Sequence, residues 1–274
     1  MNDKTKSIVW WVVAIIFTIS IAVFQRMTGP TYPVTGKINI AETAIKFKLL
    51  RSHVTSSNAL ITFKELDTAL SGSLIYRHFK SDEEWTEVPM KRNEMKELVG
   101  ELPAQPMAGK LEYKAYLKYK NDSYALNATP VVIRFTGDVP PLVMIPHILL
   151  MFLAMLFSSR TGIEALIKGK NTFKYTIITL VTLFIGGIIL GPVVQKYAFG
   201  AYWTGWPFGK DLTDNKTLIA FIFWAIAAFV LYRNKAKRTM VVVAAVALLL
   251  IYMIPHSMFG SELNYKSGQV VTGK

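Results

Sequence analysis

Five apolar runs are spread unevenly along the chain. They cover residues 8–24, 142–157, 175–194, 218–232 and 240–254. Each run approaches the roughly 17 to 25 residues that a helix needs to cross a bilayer. The pattern predicts five transmembrane helices, with one long polar segment between the first and the second.

That polar segment has the two-residue period of half-buried strands. In the clearest stretch every second residue is apolar: Leu111, Tyr113, Ala115, Leu117 and Tyr119. Shorter β-rich runs occur at 45–49, 59–63, 73–79 and 131–135, with turn residues between them at the spacing of a β-sandwich. The predicted fold class is therefore an α+β membrane protein, with a β-sandwich inserted between helices 1 and 2.

Lys4 and Lys6 ahead of the first run also fit a secretory signal peptide. Residues 22–27 lack the small-x-small pattern of a cleavage site, and the apolar run is longer than a usual signal core. We interpret the run as a retained anchor.

Charge distribution predicts the orientation of the helices. The chain carries 31 Lys and Arg against 18 Asp and Glu, yet residues 26–141 hold 16 basic and 13 acidic residues, so most of the excess lies elsewhere. Basic residues crowd the two short connections 158–174 and 233–239, which the positive-inside rule assigns to the cytoplasm. Basic clusters beside membrane helices favour anionic lipid contact and give no basis for nucleic-acid binding.

The resulting organisation has three parts in a bacterial cytoplasmic membrane. Residues 1–25 form the anchor, with its N-terminus in the cytoplasm. Residues 26–141 form the extracytoplasmic β-sandwich. Residues 142–274 form a four-helix transmembrane bundle, with an aromatic outer loop at 195–216 and an outer tail after Pro255.

The polar segment also resembles immunoglobulin-like and fibronectin-type-III-like domains of bacterial envelope proteins. The resemblance rests on residues 74–77, Trp85, residues 89–90 and 102–106, and Gly109-Lys110-Leu111-Glu112-Tyr113. It implies a fold whose aromatic residues fill the space between sheets, and a role in docking or spacing rather than a reaction.

The tetrapeptide Met-Ile-Pro-His occurs twice, at Met144–His147 and at residues 253–256. In a helix the Met and the His share a face. Met144, His147, Met253 and His256 would offer thioether and imidazole ligands for copper, or two imidazoles for a haem iron. A hydrogen-bonded structural pair and interfacial anchoring are the alternative interpretations.

The predicted outer loop concentrates aromatic residues, three glycines, a proline and two aspartates at 199–216. An interfacial aromatic belt accounts for the aromatic residues. We expect Asp214 or Thr213 to cap the following helix, which leaves Asp211 to form an ion pair, bond a histidine or hold a ligand.

The loop also resembles the Trp-rich loop of cytochrome c biogenesis haem-handling proteins, through Tyr202, Trp203, Trp206 and Asp211. It departs from that family because Asp211 follows Trp206 by five residues, outside the Trp-Gly-x-x-Trp-x-Trp-Asp spacing. The resemblance implies that Trp203 and Trp206 contact haem.

No Walker loop, dinucleotide-binding glycine motif, Gly-x-Ser-x-Gly elbow or His-Glu-x-x-His helix is present, and the chain lacks cysteine. We therefore assign no catalytic residue and expect a non-enzymatic role. The leading hypothesis is an accessory or assembly component that docks an envelope or membrane partner through its sandwich and outer loop. The alternative is a redox or carrier protein with haem or copper bound by His147, His256, Met144, Met253 and Asp211.

Overall fold

The computed structural model describes residues 2–41, 43–64, 67–255, 258 and 260–272. The chain divides into two compact units. A helical unit comprises Met1–Pro30, Val139–Gly260 and Thr272–Lys274, and a β-rich unit comprises Thr31–Asp138 and Ser261–Val271. Each unit is built around its own core of buried apolar side chains.

Long apolar helices make up the helical unit. The bounds are Asp3–Thr28 (α1), Pro141–Leu166 (α2), Thr172–Leu183 (α3), Gly191–Phe199 (α4), Leu212–Arg233 (α5) and Thr239–Met253 (α6). A π-helical segment, Phe184–Leu190, joins α3 and α4 into one continuous helix of 28 residues.

Four helices in the described part of the chain are long and apolar enough to cross a membrane. They are Lys4–Thr28, Pro141–Leu166, Thr172–Phe199 and Leu212–Arg233. The fifth predicted span coincides with α6, which has only 15 residues. At 1.5 Å per residue α6 extends about 22 Å, less than the roughly 30 Å of a bilayer core. The molecule is therefore a membrane protein with four candidate spans and one shorter apolar helix.

Two glycines let the π-helical segment approach its neighbours closely. A Cβ added at Gly186 would lie 2.8 Å from the Cβ of Leu150 on α2, and one added at Gly187 would lie 2.8 Å from Cγ2 of Thr217 on α5. These two positions form a small-residue packing seam, in which the missing Cβ atoms let the π-helical segment lie close to α2 and α5.

Eleven strands lie between residues 34 and 136 in the described ranges. Their bounds are Val34–Ile40 (β1), Thr43–Leu49 (β2), Ser52–Val54 (β3), Ala59–Phe63 (β4), Leu70–His78 (β5), Thr86–Pro89 (β6), Lys91–Arg92 (β7), Leu98–Leu102 (β8), Lys110–Tyr119 (β9), Asp122–Ala125 (β10) and Val131–Thr136 (β11). The predicted alternation is confirmed in β9, where Leu111, Tyr113, Ala115 and Leu117 are buried and Tyr119 is half-buried.

The strands form three separate sheets in this region. The largest has the order β3-β11-β9-β5-β6, with β10 also paired to β9, and the second has the order β4-β8-β7. β1 and β2 pair with each other as a two-stranded hairpin. The expected immunoglobulin-like β-sandwich is therefore corrected to a β-rich region that does not form a closed sandwich, because the β1-β2 hairpin extends neither larger sheet.

A C-terminal hairpin completes the β-rich unit. Its strands are Glu262–Asn264 (β12) and Gln269–Val271 (β13). The Leu263 amide donates to the Ala108 carbonyl at 3.0 Å, and the Tyr265 hydroxyl accepts from the Lys110 amide at 3.0 Å. The residues after Pro255 were expected only as a tail, so this hairpin is a feature that the sequence pattern missed.

Charged groups hold the hairpin in place. Glu262 Oε2 lies 2.6 Å from Nζ of Lys110, and its Oε1 lies 3.1 Å from Nζ of Lys80. Burial raises the pKa of Glu262, but the hydrogen bonds and charges of the two lysines outweigh burial and hold that pKa below the ordinary value of 4.5. His78 also stacks on the Tyr265 ring, with 4.0 Å between ring centroids.

We expect Glu262→Gln to loosen the C-terminal hairpin by about 1–2 kcal/mol, because it removes both ion pairs. The folded pKa of Glu262 is below its unfolded value, so its contribution is present above pH 4.5 and disappears as the pH falls through the folded pKa. Hydrogen exchange protection of residues 261–271, corrected for intrinsic rates, should therefore fall in the variant at pH 7, and in the wild type as the pH is lowered below 4.5 and through the folded pKa of Glu262.

The matched control is Glu87→Gln, which breaks an exposed 3.6 Å pair with Lys118 in the same unit. This variant should leave the protection of residues 261–271 unchanged. Full protection in Glu262→Gln at pH 7 would contradict the assignment.

Candidate functional site

His147 lies in the second turn of α2, one residue after Pro146. Its Nδ1 is 2.8 Å from the carbonyl oxygen of Gly186 in the π-helical segment. Because a carbonyl only accepts, Nδ1 carries the proton and donates it. The neutral ring therefore keeps its lone pair on Nε2.

The π-helical segment supplies that acceptor. The Gly191 amide also donates to the Gly186 carbonyl, five residues earlier, so this oxygen accepts two hydrogen bonds. Single π-helical turns inside α-helices occur frequently at functional sites. The arrangement fixes the ring orientation of His147 in the way that metal-binding histidines are commonly fixed, through a backbone carbonyl.

The residues predicted to share a site with His147 differ in their exposure. Met144, one turn earlier on α2, is half-buried like His147, and Met253 at the end of α6 is exposed. The Tyr252 hydroxyl donates to the carbonyl of Met151, which follows His147 by one turn, so the end of α6 lies against this part of α2. His256 lies outside the described residues.

The aromatic loop, residues 200–211, connects α4 to α5 and is held by hydrogen bonds to α5. The Thr204 amide donates to Oδ2 of Asp214 at 2.7 Å, and the Trp206 amide donates to Oδ1 of Asn215 at 2.6 Å. The indole N–H of Trp203 donates to the Trp206 carbonyl at 3.0 Å. At the start of the loop, Gly200 adopts φ 85°, a left-handed conformation that glycine adopts without strain.

These bonds fix a backbone that presents large aromatic side chains. Tyr202, Trp206 and Phe208 are 59%, 69% and 82% exposed, whereas Trp203 is half-buried. Trp203 and Trp206, expected to contact a cofactor, lie within one loop and bond to each other.

The roles of the two aspartates differ from those expected. Asp211 caps α5, because its Oδ1 accepts from the amides of Thr213 and Asp214 at 2.8 and 3.4 Å. Asp214, expected as the cap, instead accepts from the amide and hydroxyl of Thr204. The expectation that Asp214 or Thr213 caps α5 is therefore wrong, and Asp211 is the cap.

Gln195 and Lys216 are buried polar residues of this region that the sequence analysis did not select. Gln195 Nε2 donates to the Thr204 hydroxyl, and Lys216 Nζ donates to the Ile254 carbonyl at 3.0 Å, joining the first turns of α5 to the end of α6. Both residues lie next to an apolar run in the sequence, where a polar side chain needs a hydrogen-bond partner if it is buried. That position could have identified them.

Within the described ranges, no group of three His, Asp or Glu side chains is arranged to hold a metal ion. The predicted haem or copper site, which also uses methionines and His256, remains a prediction. No family model, curated protein or solved structure matches the chain.

We expect Asp214→Ala to release the aromatic loop, because the Thr204 amide and hydroxyl lose their acceptor. Loss of such a partner costs about 1–3 kcal/mol. Hydrogen exchange of residues 200–211 in the full chain should accelerate by tenfold or more. Asp211→Asn retains a good capping side chain and should leave the exchange unchanged; equal exchange in both variants would argue against this role for Asp214.

Proposed function

We propose that this chain is a membrane-embedded docking component that contacts an envelope or membrane partner protein through its aromatic loop. The observation that carries the proposal is the combination of a hydrogen-bonded backbone with exposed Tyr202, Trp206 and Phe208. Rigid, exposed aromatic side chains are the usual anchors of protein interfaces.

The internal hydrogen bonds favour a protein partner over a simple lipid belt. Tryptophans in an interfacial belt hold their amphipathic rings at the level of the lipid headgroups. Here the indole N–H of Trp203 is used inside the loop by the Trp206 carbonyl. The loop therefore resembles a preorganised binding surface, in which little conformational freedom is lost on association.

We also propose that the β-rich unit is an open immunoglobulin-like docking module. The antiparallel pairing of β5, β9 and β11, with β3 added parallel to β11, supports this proposal. Trp85 lies just before the edge strand β6, with the guanidinium of Arg77 4.6 Å from its ring centroid. An aromatic residue beside a free strand edge suits recognition of an extended segment.

The composition of the β-rich unit supports five membrane spans. The β-rich unit contains both Thr31–Asp138 and Ser261–Val271, so these segments share one side of the membrane. The chain between them must therefore cross an even number of times. If α2, the continuous helix Thr172–Phe199 and α5 each cross, α6 must cross as well.

The basic residues favour one orientation for these spans. Lys168 and Lys170 lie between α2 and α3, and Lys235, Lys237 and Arg238 lie between α5 and α6. Short basic connections remain in the cytoplasm. This orientation puts the β-rich unit, the aromatic loop and the C-terminus on the extracytoplasmic side.

A photo-crosslinking amino acid at Phe208 tests the docking role in membranes of the native host. We expect one discrete protein adduct, identified by mass spectrometry, and the same protein from a probe at Trp206. Adding Tyr202→Ala to the Phe208 probe should reduce the yield by at least fivefold, because it removes an adjacent aromatic anchor.

The control probe stands at Tyr232, an equally exposed aromatic residue at the far end of α5. It should not yield that adduct. Lipid adducts alone at positions 206 and 208, or the same protein at position 232, would refute docking through the aromatic loop.

A second candidate function, haem or copper binding, is favoured by the geometry of His147. Its Nδ1–H is held by the Gly186 carbonyl, and its Nε2 lone pair suits a metal. Met144 and His256 are the ligands that would complete the site. An iron or copper ion there would supply electron transfer or metal transport.

Absorption spectra and elemental analysis of gently purified protein test this second candidate. We expect a Soret band or about one copper per chain in the wild type, and its loss in both His147→Ala and His256→Ala. His53→Ala, in the β-rich unit, should retain the metal. A colourless and copper-free wild type, or loss in only one of the two variants, would exclude the shared site.

A further inference from the structure

One end of the helical unit gathers the N-terminus of α1 and two short connections. Trp11 of α1 packs edge-on against Phe157 of α2 and Tyr175 of α3, with ring centroids 5.3 and 5.6 Å apart. The Lys235 ammonium lies 5.8 Å from the ring centroid of Phe173, so the α5–α6 connection lies beside the first turn of α3. We call this region the basic end.

Nine basic residues lie at the basic end, and all but the half-buried Arg238 are exposed. They are Lys4, Lys6, Lys168, Lys170, Lys174, Arg233, Lys235, Lys237 and Arg238. Within the described ranges, none of them forms an ion pair. The positive charge of this surface is therefore not neutralised by the protein.

Acidic groups near the basic end are few. Asp3 lies in the first turn of α1, and Glu164 is buried in α2. Arg160 Nη1 lies 2.6 Å from Glu164 Oε2, and Glu164 Oε1 accepts from the Asn171 amide at 3.1 Å. The carboxylate of Glu164 is thus occupied inside the protein.

Exposed apolar side chains border the same two connections. Leu166 is the last residue of α2, Ile167 follows it, and Tyr232 lies in the last turn of α5. A surface with exposed lysines above exposed apolar groups matches a molecule that has an anionic head and hydrocarbon chains. A free anion or an acidic protein would leave the apolar part of this surface without a matching contact.

We propose that the basic end binds the headgroup of an anionic phospholipid between the α2–α3 and α5–α6 connections. The phosphate contacts lysines of both connections, and the acyl chains lie along Leu166, Ile167 and Tyr232. This inference is independent of the proposed docking role, since it concerns other residues and another ligand.

Titration of the delipidated full chain with phosphatidylglycerol or phosphatidylcholine, followed by native mass spectrometry, tests this site. We expect at least a tenfold preference for phosphatidylglycerol. Each surface lysine or arginine contributes about fivefold to anionic lipid binding. The combined variant Lys170→Gln, Lys174→Gln and Lys237→Gln should therefore lose the preference.

The control variant removes the same charge from exposed positions of the β-rich unit, through Lys46→Gln, Lys48→Gln and Lys91→Gln. It should keep the wild-type preference. Equal retention of both lipids by the wild type would overturn the proposal, as would an equal loss in the control variant.

A salt titration of the wild type needs no variant and stays informative if a variant misfolds. The preference should fall steeply between 50 and 500 mM salt, and a salt-independent preference would overturn the proposal. Inorganic phosphate and a polyglutamate peptide serve as competitors at concentrations equal to the lipid. Displacement by either one would reassign the surface to a soluble anion or an acidic protein.

Discussion

A buried ion pair holds the first three helices of the helical unit together. Arg160 and Glu164 are four residues apart on α2, are almost fully buried, and approach to 2.6 Å. The Arg160 guanidinium also lies 5.5 and 5.3 Å from the rings of Trp11 and Tyr175. One cation thus contacts α1, α2 and α3, while its carboxylate partner binds the turn before α3. Removing either partner would leave an uncompensated charge in an apolar surrounding, which costs about 3–5 kcal/mol. The ion pair therefore stabilises one packing arrangement of these three helices and of the turn before α3.

The two ends of the helical unit satisfy buried polar groups in different ways. At the basic end the buried pair is neutral, and the remaining cations stay at the surface, where solvent or lipid phosphate can meet them. At the opposite end, Lys216 Nζ donates to the carbonyl of Ile254, which directly follows α6. The side-chain amide of Gln25 donates to the carbonyl of Tyr252, in the last turn of α6. These bonds attach α1 and α5 to the C-terminal end of α6. Polar side chains therefore hold the ends of the helices in place. Small residues such as Gly186 allow neighbouring helices to pack closely along their length.

The periodic features of the fold were predictable, and the contacts between distant segments were not. Apolar runs located four candidate spans, and alternation located the buried face of β9, because these signals are local. The C-terminal hairpin was missed because its contacts join Glu262 to Lys110, across 152 positions. The β-sandwich was expected from strand number and spacing, which do not determine whether β1 and β2 pair with a larger sheet or only with each other. The i, i+4 spacing of Arg160 and Glu164 permits an ion pair in any helix, but it does not show that this pair is buried against two other helices.

The candidate site shows the same division between local and long-range information. A histidine after Pro146 near the start of an apolar helix marks a position of interest, but its chemistry depends on Gly186, 39 residues later. The carbonyl of Gly186 fixes which nitrogen of His147 carries the proton, and so leaves one lone pair for any further contact. That lone pair can ligate a metal or accept one hydrogen bond, but not both. The exposed side chains of the aromatic loop, by contrast, need no metal to contact a partner.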